Sequence, residues 1–568
     1  MRISCFLLLF LILQYTAAAQ TADVYSTDRE VIAGGEALFL QHCASCHNFK
    51  QRGIGPDLSG ITAKASKSWL LEFIHDPKAV LEKGDTYAQE LFKEYNVLMP
   101  SFTYLKDEEK DKILAFINIH KKESKVALNH NFGAPIADPV PEKIMPAGLT
   151  LKLEPVLTAP FADDKIPRAR INQMRVLKGR KSRVFLSDLR GQLYEMKEGE
   201  LYEVFNISKA FPAFIPEPGL ATGFGSYAFH PDFYKNGLFY TTHTEKAGTA
   251  KADFNYNEQI PVALQWVLSE WSIDRPDAAI FTGSHREILR IDMPSQVHGV
   301  QEIIFNPLAK KGDRDYGLLY IGIGDGGSGE SGYSQLCIDN TQVWSSVLRI
   351  DPLGSNSKNG RYGIPDINPF VRDGDPASLG EIFAIGFRNP NRISWSPDGK
   401  MLISDIGLSN AEELNIGNAG GHYGWPVREG TFLLNYKGKM DKVYALPEND
   451  AAYTYPVVQY DHDEGNAFSA GFVYTGPIKV LEGKYIFGDV VTGRVFYVNN
   501  SDLILGKQAK IKELELDFNG SLSTFRQITA NSRVDLRFGV GAKNELYLYT
   551  KTDGKIWKVK NCQKSVVN

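Results

Sequence analysis

In the stretch "FLQHCASCHNFKQRGIGPDLSG", Cys43 and Cys46 stand three positions apart and His47 follows directly. Two thiols at that spacing can add to the two vinyl groups of one haem, and the adjoining histidine reaches the iron. A thioredoxin-like redox pair needs no such histidine and usually follows a βαβ pattern. The residues leading into Cys43 read as helix. Covalent haem c is the expected cofactor, with His47 on the iron. A second axial ligand is needed, and thioether sulfur both fills the position and raises the potential. Met99, in "NVLMPSFTYLKDEEKDKILAFI", is the one methionine between residues 20 and 123. His42 and His75 are the alternatives.

A second set of residues could move a proton and hold an electron sink. His298 in "MPSQVHGVQEIIF" precedes a strand and is a candidate base for a hydroxyl proton. Asp325 in "GIGDGG" could orient it from a neighbouring strand. Arg388 and Asn389 in "GFRNPNR" offer a fork and an amide, which suit the oxygens of an anionic quinone. Each has a plainer reading. GDGG is a common β-turn, a lone histidine is often structural, and the Arg-Asn-Pro run could merely cap a sheet unit.

These groups need elements to place them. The chain has 568 residues, 43% of them hydrophobic, enough for more than one packed domain. A formal charge of -4 with no basic stripe argues against nucleic acid as a partner. "MRISCFLLLFLILQYTAAAQ" reads as a secretory signal over residues 1–19, so a periplasmic or secreted protein is expected. No later segment is long and apolar enough to span a membrane. An oxidising compartment would allow a disulfide between Cys337 and Cys562. Residues 30–122 read as a small helical domain. Ile113, Leu114 and Ile117 share one face of its last helix, and Asp107 and Glu108 sit at that helix's start. A Pro/Ala/Gly-rich linker is expected at 123–150. From 151 to 562, units such as "KYIFGDVVTGRVFYV" and "ELYLYTKTDGKIWKV" alternate β-branched and aromatic residues around Gly-Asp turns. Such repetition without intervening helix points to a β-propeller, with a β-sandwich array as the rival.

The first domain resembles a class I cytochrome c in its CxxCH motif, the "GPDLSG" turn, Trp69 in "SWLLEFIHDP" and the "LMPSF" loop. "FGSYAFHPDFYKNGLFY", "LLYIGIGDGG", "SSVLRIDP", "EIFAIGFRNPNRISW", "EELNIGNAGGHYGWP" and "FGDVVTGRVFYV" resemble the soluble quinoprotein glucose and sorbosone dehydrogenases and their Hedgehog-interacting relatives. That resemblance implies a small all-α cytochrome c domain followed by an all-β six-bladed propeller. It implies pyrroloquinoline quinone (PQQ) and Ca²⁺ beside the haem. His298 holds the place of the family's base, Asp325 of its supporting carboxylate, and Arg388 and Asn389 of its quinone contacts. Gly407 and Leu408, in "SDIGLSNAEELN", match the carbonyls that bind calcium. Val491 stands near the place of a quinone-contacting lysine. The implied activity is oxidation of a sugar or related small alcohol, with electrons passing to the haem and on to a soluble or membrane-associated acceptor. A non-catalytic ligand-binding propeller fused to a cytochrome is the alternative. A hydrolase is disfavoured, because hydrolysis moves no electrons.

Overall fold

The computed structural model describes residues 24–44, 46–49, 55–95, 97–121, 132–162, 164, 166–179, 181–217, 222–257, 259–447, 450 and 452–565. The leader read at 1–19 and the start of the linker, 123–131, lie outside the described residues.

Among the described residues five α-helices form the first part: α1 (Arg29–His42), α2 (Lys67–His75), α3 (Pro77–Glu82), α4 (Thr86–Tyr95) and α5 (Asp107–Ile119). Local chemistry sets their ends. Asp28 accepts the Glu30 N–H at the start of α1, and Ser66 accepts Trp69 N–H at the start of α2. Asp76 accepts Ala79 N–H, with Pro77 opening α3. Helices α1 and α5 cross where Gly35 lies against the Lys112 carbonyl; a Cβ there would come within 2.0 Å of that oxygen. Ile113, Leu114 and Ile117 are buried in one cluster with Phe39, Leu70, Ile74 and Phe102.

The rest is sheet. Among the described residues, antiparallel pairing groups most strands in fours, beginning with Ile171–Leu177, Phe224–Phe229, Glu302–Phe305 and Pro390–Trp395, while Arg428–Glu429, Phe432–Leu434 and Val443–Tyr444 form a separate three-stranded sheet. Two more groups begin with Phe468–Val473 and Leu536–Val540. The strand Met145–Thr158 completes the last group by pairing antiparallel with Lys555–Lys564. It also pairs parallel with Lys512–Phe518. The six leading strands lie side by side in chain order, the last against the first. The close approach of Leu536–Val540 to Ile171–Leu177 uses Gly539, whose Cβ would meet the Met174 side chain at 2.6 Å.

Two expectations change. The stretch read as linker to residue 150 already forms strand from Met145. Its partners lie more than 350 residues away, so no local turn signals it. Cys337 and Cys562 are free and buried in separate apolar clusters, so no disulfide joins them.

Candidate functional site

In the helical domain, Cys43, Cys46 and His47 line one apolar cleft with Trp69, Leu70, Tyr87 and Met99. Cys43 ends α1, and its thiol is pushed up to about 12 by burial and by Cys46. His47 Nδ1 lies 3.0 Å from the Pro56 carbonyl, which leaves Nε2 as the ligating nitrogen. Burial lowers its pKa and so favours the neutral imidazole that binds metal. Gly55 lies against this ring: a Cβ would sit 2.4 Å from His47 Cε1. The loop bearing Met99 is pinned by Phe102 N–H on the Ile74 and His75 carbonyls and by Ser101 Oγ on Asp76 Oδ1 (3.1 Å). His42 and His75 are not among the residues lining the cleft. They contact Tyr104 Oη and Lys110 Nζ, each at 3.3 Å. Two thiols, an oriented imidazole and a thioether around one apolar space fit a haem.

In the sheet domain the structure brings His298, Asp325, Arg388 and Asn389 together. His298 immediately precedes the turn into Glu302–Phe305 and has φ 51°, a left-handed conformation uncommon for histidine. Its Nδ1 donates to Asp325 Oδ1 at 2.7 Å. Gly324 makes room for the kink, since a Cβ there would lie 2.2 Å from the His298 carbonyl. Asp325 is fully buried. Its Oδ1 also accepts Gly327 N–H (2.7 Å), and its Oδ2 accepts Trp425 Nε1–H (3.0 Å). Burial opposes its charge, yet His298 and Arg388 hold the carboxyl below its ordinary range. The backbone ties the two halves together through Asp325 N–H on the Arg388 carbonyl at 2.8 Å. Asp405 in turn accepts the N–H groups of Arg388 (2.8 Å) and Asn389 (2.5 Å).

The Arg388 side chain is buried over the Trp425 ring, 5.6 Å from its centroid. It pairs with Glu330 and donates to the carbonyls of Gly407 (2.5 Å) and Ile406 (3.2 Å). Its Nε–H is buried without a partner among the described residues. The loop after Gly407 turns its amides inward, and Glu429 Oε1 accepts N–H from Leu408, Ser409, Asn410 and Ala411. The carbonyl expected to bind calcium therefore already meets a guanidinium, and this arrangement does not fit a divalent cation on Gly407.

Sequence reasoning missed several partners. Glu330, Asp405, Trp425 and Glu429 hold the site. Although Glu330 lies five residues after Asp325, and Asp405 and Trp425 fall in "SDIGLSNAEELN" and "EELNIGNAGGHYGWP", nothing in their local spacing marked them as its partners. A buried cationic group along the leading strands was also missed. Lys551 Nζ donates to Asn172 Oδ1 at 3.2 Å, and burial together with Arg537 depresses its pKa strongly. Arg537 Nε is another buried donor without a partner among the described residues. Only the Arg-x-x-x-Arg spacing of Arg533 and Arg537 hinted at it.

The family described as Glucose / Sorbosone dehydrogenase matches residues 172–522, and that described as Cytochrome c matches residues 32–121. The HIPL2 protein of Arabidopsis thaliana is 27% identical over 359 residues, covering 54% of this chain and 49% of that protein. Quinoprotein glucose dehydrogenase B of Acinetobacter calcoaceticus is 24% identical over 328 residues, covering 53% and 60%. The chain thus spans about half the length of the first of these relatives. A solved glucose dehydrogenase structure shares the fold of the sheet domain, with TM-score 0.51 at 18% identity, covering 72% of this chain and 99% of that one. With the family match extending over more than half of its length, the chain belongs to the glucose / sorbosone dehydrogenase family and carries a cytochrome c domain ahead of the family region.

Proposed function

We propose that this protein is an exported sugar dehydrogenase. It oxidises the C1 hydroxyl of an aldose or a related small alcohol with PQQ and delivers the electrons to its own haem c. The six four-stranded groups are read as six propeller blades, with the site at the end of the leading strands where His298 and Arg388 enter. The observation that carries this reading is the His298–Asp325 pair, 2.7 Å apart and buried beside Arg388. Asp325 holds the proton on Nδ1, which leaves Nε2 as the base for a substrate hydroxyl. PQQ, when bound, supplies a two-electron sink and several carboxylates. The Nε–H groups of Arg388 and Arg537, buried without a partner among the described residues, suit such an anion, and a carboxylate beside Lys551 would restore the ammonium charge that burial and Arg537 now disfavour.

The cytochrome supports the same reading. Cys46 lies within electrostatic range of Arg533, and Glu36 within range of Tyr333, three residues after Glu330. These pairs put the haem-binding motif and α1 near the sheet domain. A tethered acceptor has a high effective concentration at such a site.

The test adds PQQ to full-length, haem-loaded protein and screens aldoses while the haem spectrum is followed. Reduction by a sugar supports the proposal, and His298→Ala should then lower kcat by about two to four orders of magnitude with PQQ binding retained. The second reading is a ligand-binding platform. The pairing of Arg388 with Glu330 and with the Gly407 carbonyl favours it, because those contacts compete with an anionic quinone. Failure of wild type to bind PQQ at micromolar concentration would select that reading.

A further inference from the structure

The segment that joins the two domains is fastened by acidic side chains that the chemistry above does not use. Asp138 is exposed on that segment, Asp461 ends the strand Val458–Asp461, and Asp463 follows two residues later. One carboxylate oxygen from each lies within 4.8 Å of the other two. Asp461 is only 3% exposed. Its Oδ2 accepts the Val140 N–H at 3.0 Å, but its Oδ1 is buried with no hydrogen-bond partner among the described residues. A buried carboxylate oxygen without a donor is costly, and a second carboxylate beside it adds to that cost. Burial and the nearby Asp138 both push the Asp461 pKa up. Lys143 pairs with Asp463 and compensates one charge, so three carboxylates against one ammonium leave two negative charges.

We propose that Asp138, Asp461 and Asp463 bind a divalent cation of the calcium class, which latches the interdomain segment to the edge of the sheet domain. The donor set is all oxygen, as hard cations prefer, and it contains no thiolate or imidazole to select zinc. Two exposed carboxylates leave room for the water ligands that Ca²⁺ accepts in its flexible shell.

The latch reaches the site through packing. The Ile136 N–H bonds to the Val443 carbonyl at 2.9 Å. Ile136 and Val140 pack on the cluster containing Leu408 and Trp425. Asp461 is paired in register with Ala411, whose N–H is held by Glu429. The cation thus fastens the segment that backs the Arg388–Gly407 loop. It does so whether or not the protein oxidises sugars.

Full-length, haem-loaded protein is stripped with chelator and then given CaCl₂ alone. Bound calcium is counted by equilibrium dialysis, and the interdomain segment is probed by limited proteolysis. Wild type should bind one more Ca²⁺ than Asp138→Asn at ~1 mM free calcium, the range of extracellular modules. Calcium should also slow cleavage of the segment in wild type and not in the variant. Stability gives a second readout. In chelator, Asp138→Asn should melt at or above the wild-type temperature, because it removes one crowded charge. In calcium, the order should reverse. Equal calcium counts in the two proteins, or an unchanged order of melting temperatures, overturns the proposal. Because Asp138 is exposed and lies outside the sheet, the variant tests the cation and not the fold.

Discussion

At the scale of single residues, the site depends on carboxylates that bind more than one donor. Asp325 receives His298, Gly327 and Trp425 at once. Replacing it with Asn keeps the volume but breaks a buried pair, so Asp325→Asn should lose about 3 kcal/mol in urea unfolding as well as turnover. Asp405 and Glu413 behave differently. Burial raises both pKa values, with repulsion from Glu412 adding to it at Asp405 and repulsion from Asp405 adding to it at Glu413. The folded state therefore holds protons that the unfolded chain releases. Their contribution to stability is complete below the ordinary carboxylate range and is lost as pH rises through the raised folded values. Urea midpoints between about pH 5 and about pH 8 should fall with pH in wild type and fall less steeply in Glu413→Gln. Parallel slopes would remove this assignment.

At the scale of elements, two glycines set how closely parts can approach. Gly35→Ala would press a Cβ onto the Lys112 carbonyl at the α1–α5 crossing, where backbone cannot step aside. A loss of about 3 kcal/mol is expected, at the upper end for overpacking, and thermal unfolding of the holoprotein would measure it. Gly55→Ala would strike the His47 ring. That substitution should lower the fraction of protein that retains haem stain after denaturation. Global stability of the sheet domain, followed by far-UV circular dichroism, should not change. The loop bearing Met99 is held by Asp76 through Ser101, so a side chain that does not itself line the cleft places the expected thioether.

At the scale of the whole molecule, groups of the cytochrome come within electrostatic range of groups of the sheet domain. Tyr104 lies within electrostatic reach of Glu217 and Arg170, and Cys46 within reach of Arg533. If the haem is reduced from its own sheet domain, its reduction after sugar addition should be first order. The rate should stay constant over a tenfold dilution of protein. Arg533→Glu should slow that phase without altering the preceding loss of substrate hydride. A rate proportional to protein concentration would mean transfer between molecules.

The sequence alone determined the haem motif, the last helix of its domain and the repeating strand units, because each is written in residues a few positions apart. Cys43, Cys46 and His47 share one turn of chain, and the alternation in "KYIFGDVVTGRVFYV" needs no distant partner to be read. It also singled out His298, Asp325, Arg388 and Asn389, through motifs that the family match later covered. Only the tertiary structure showed that these four meet, that Trp425 and Asp405 hold them, and that Glu330 and the Gly407 carbonyl take up the Arg388 guanidinium. The same holds for the strand from Met145, which finds its partner at Lys555–Lys564, and for the unpaired Cys337 and Cys562. The physical reason is separation along the chain. A buried charge takes whichever partner the packed sheets bring within 3 Å, and local residue spacing carries no record of that choice.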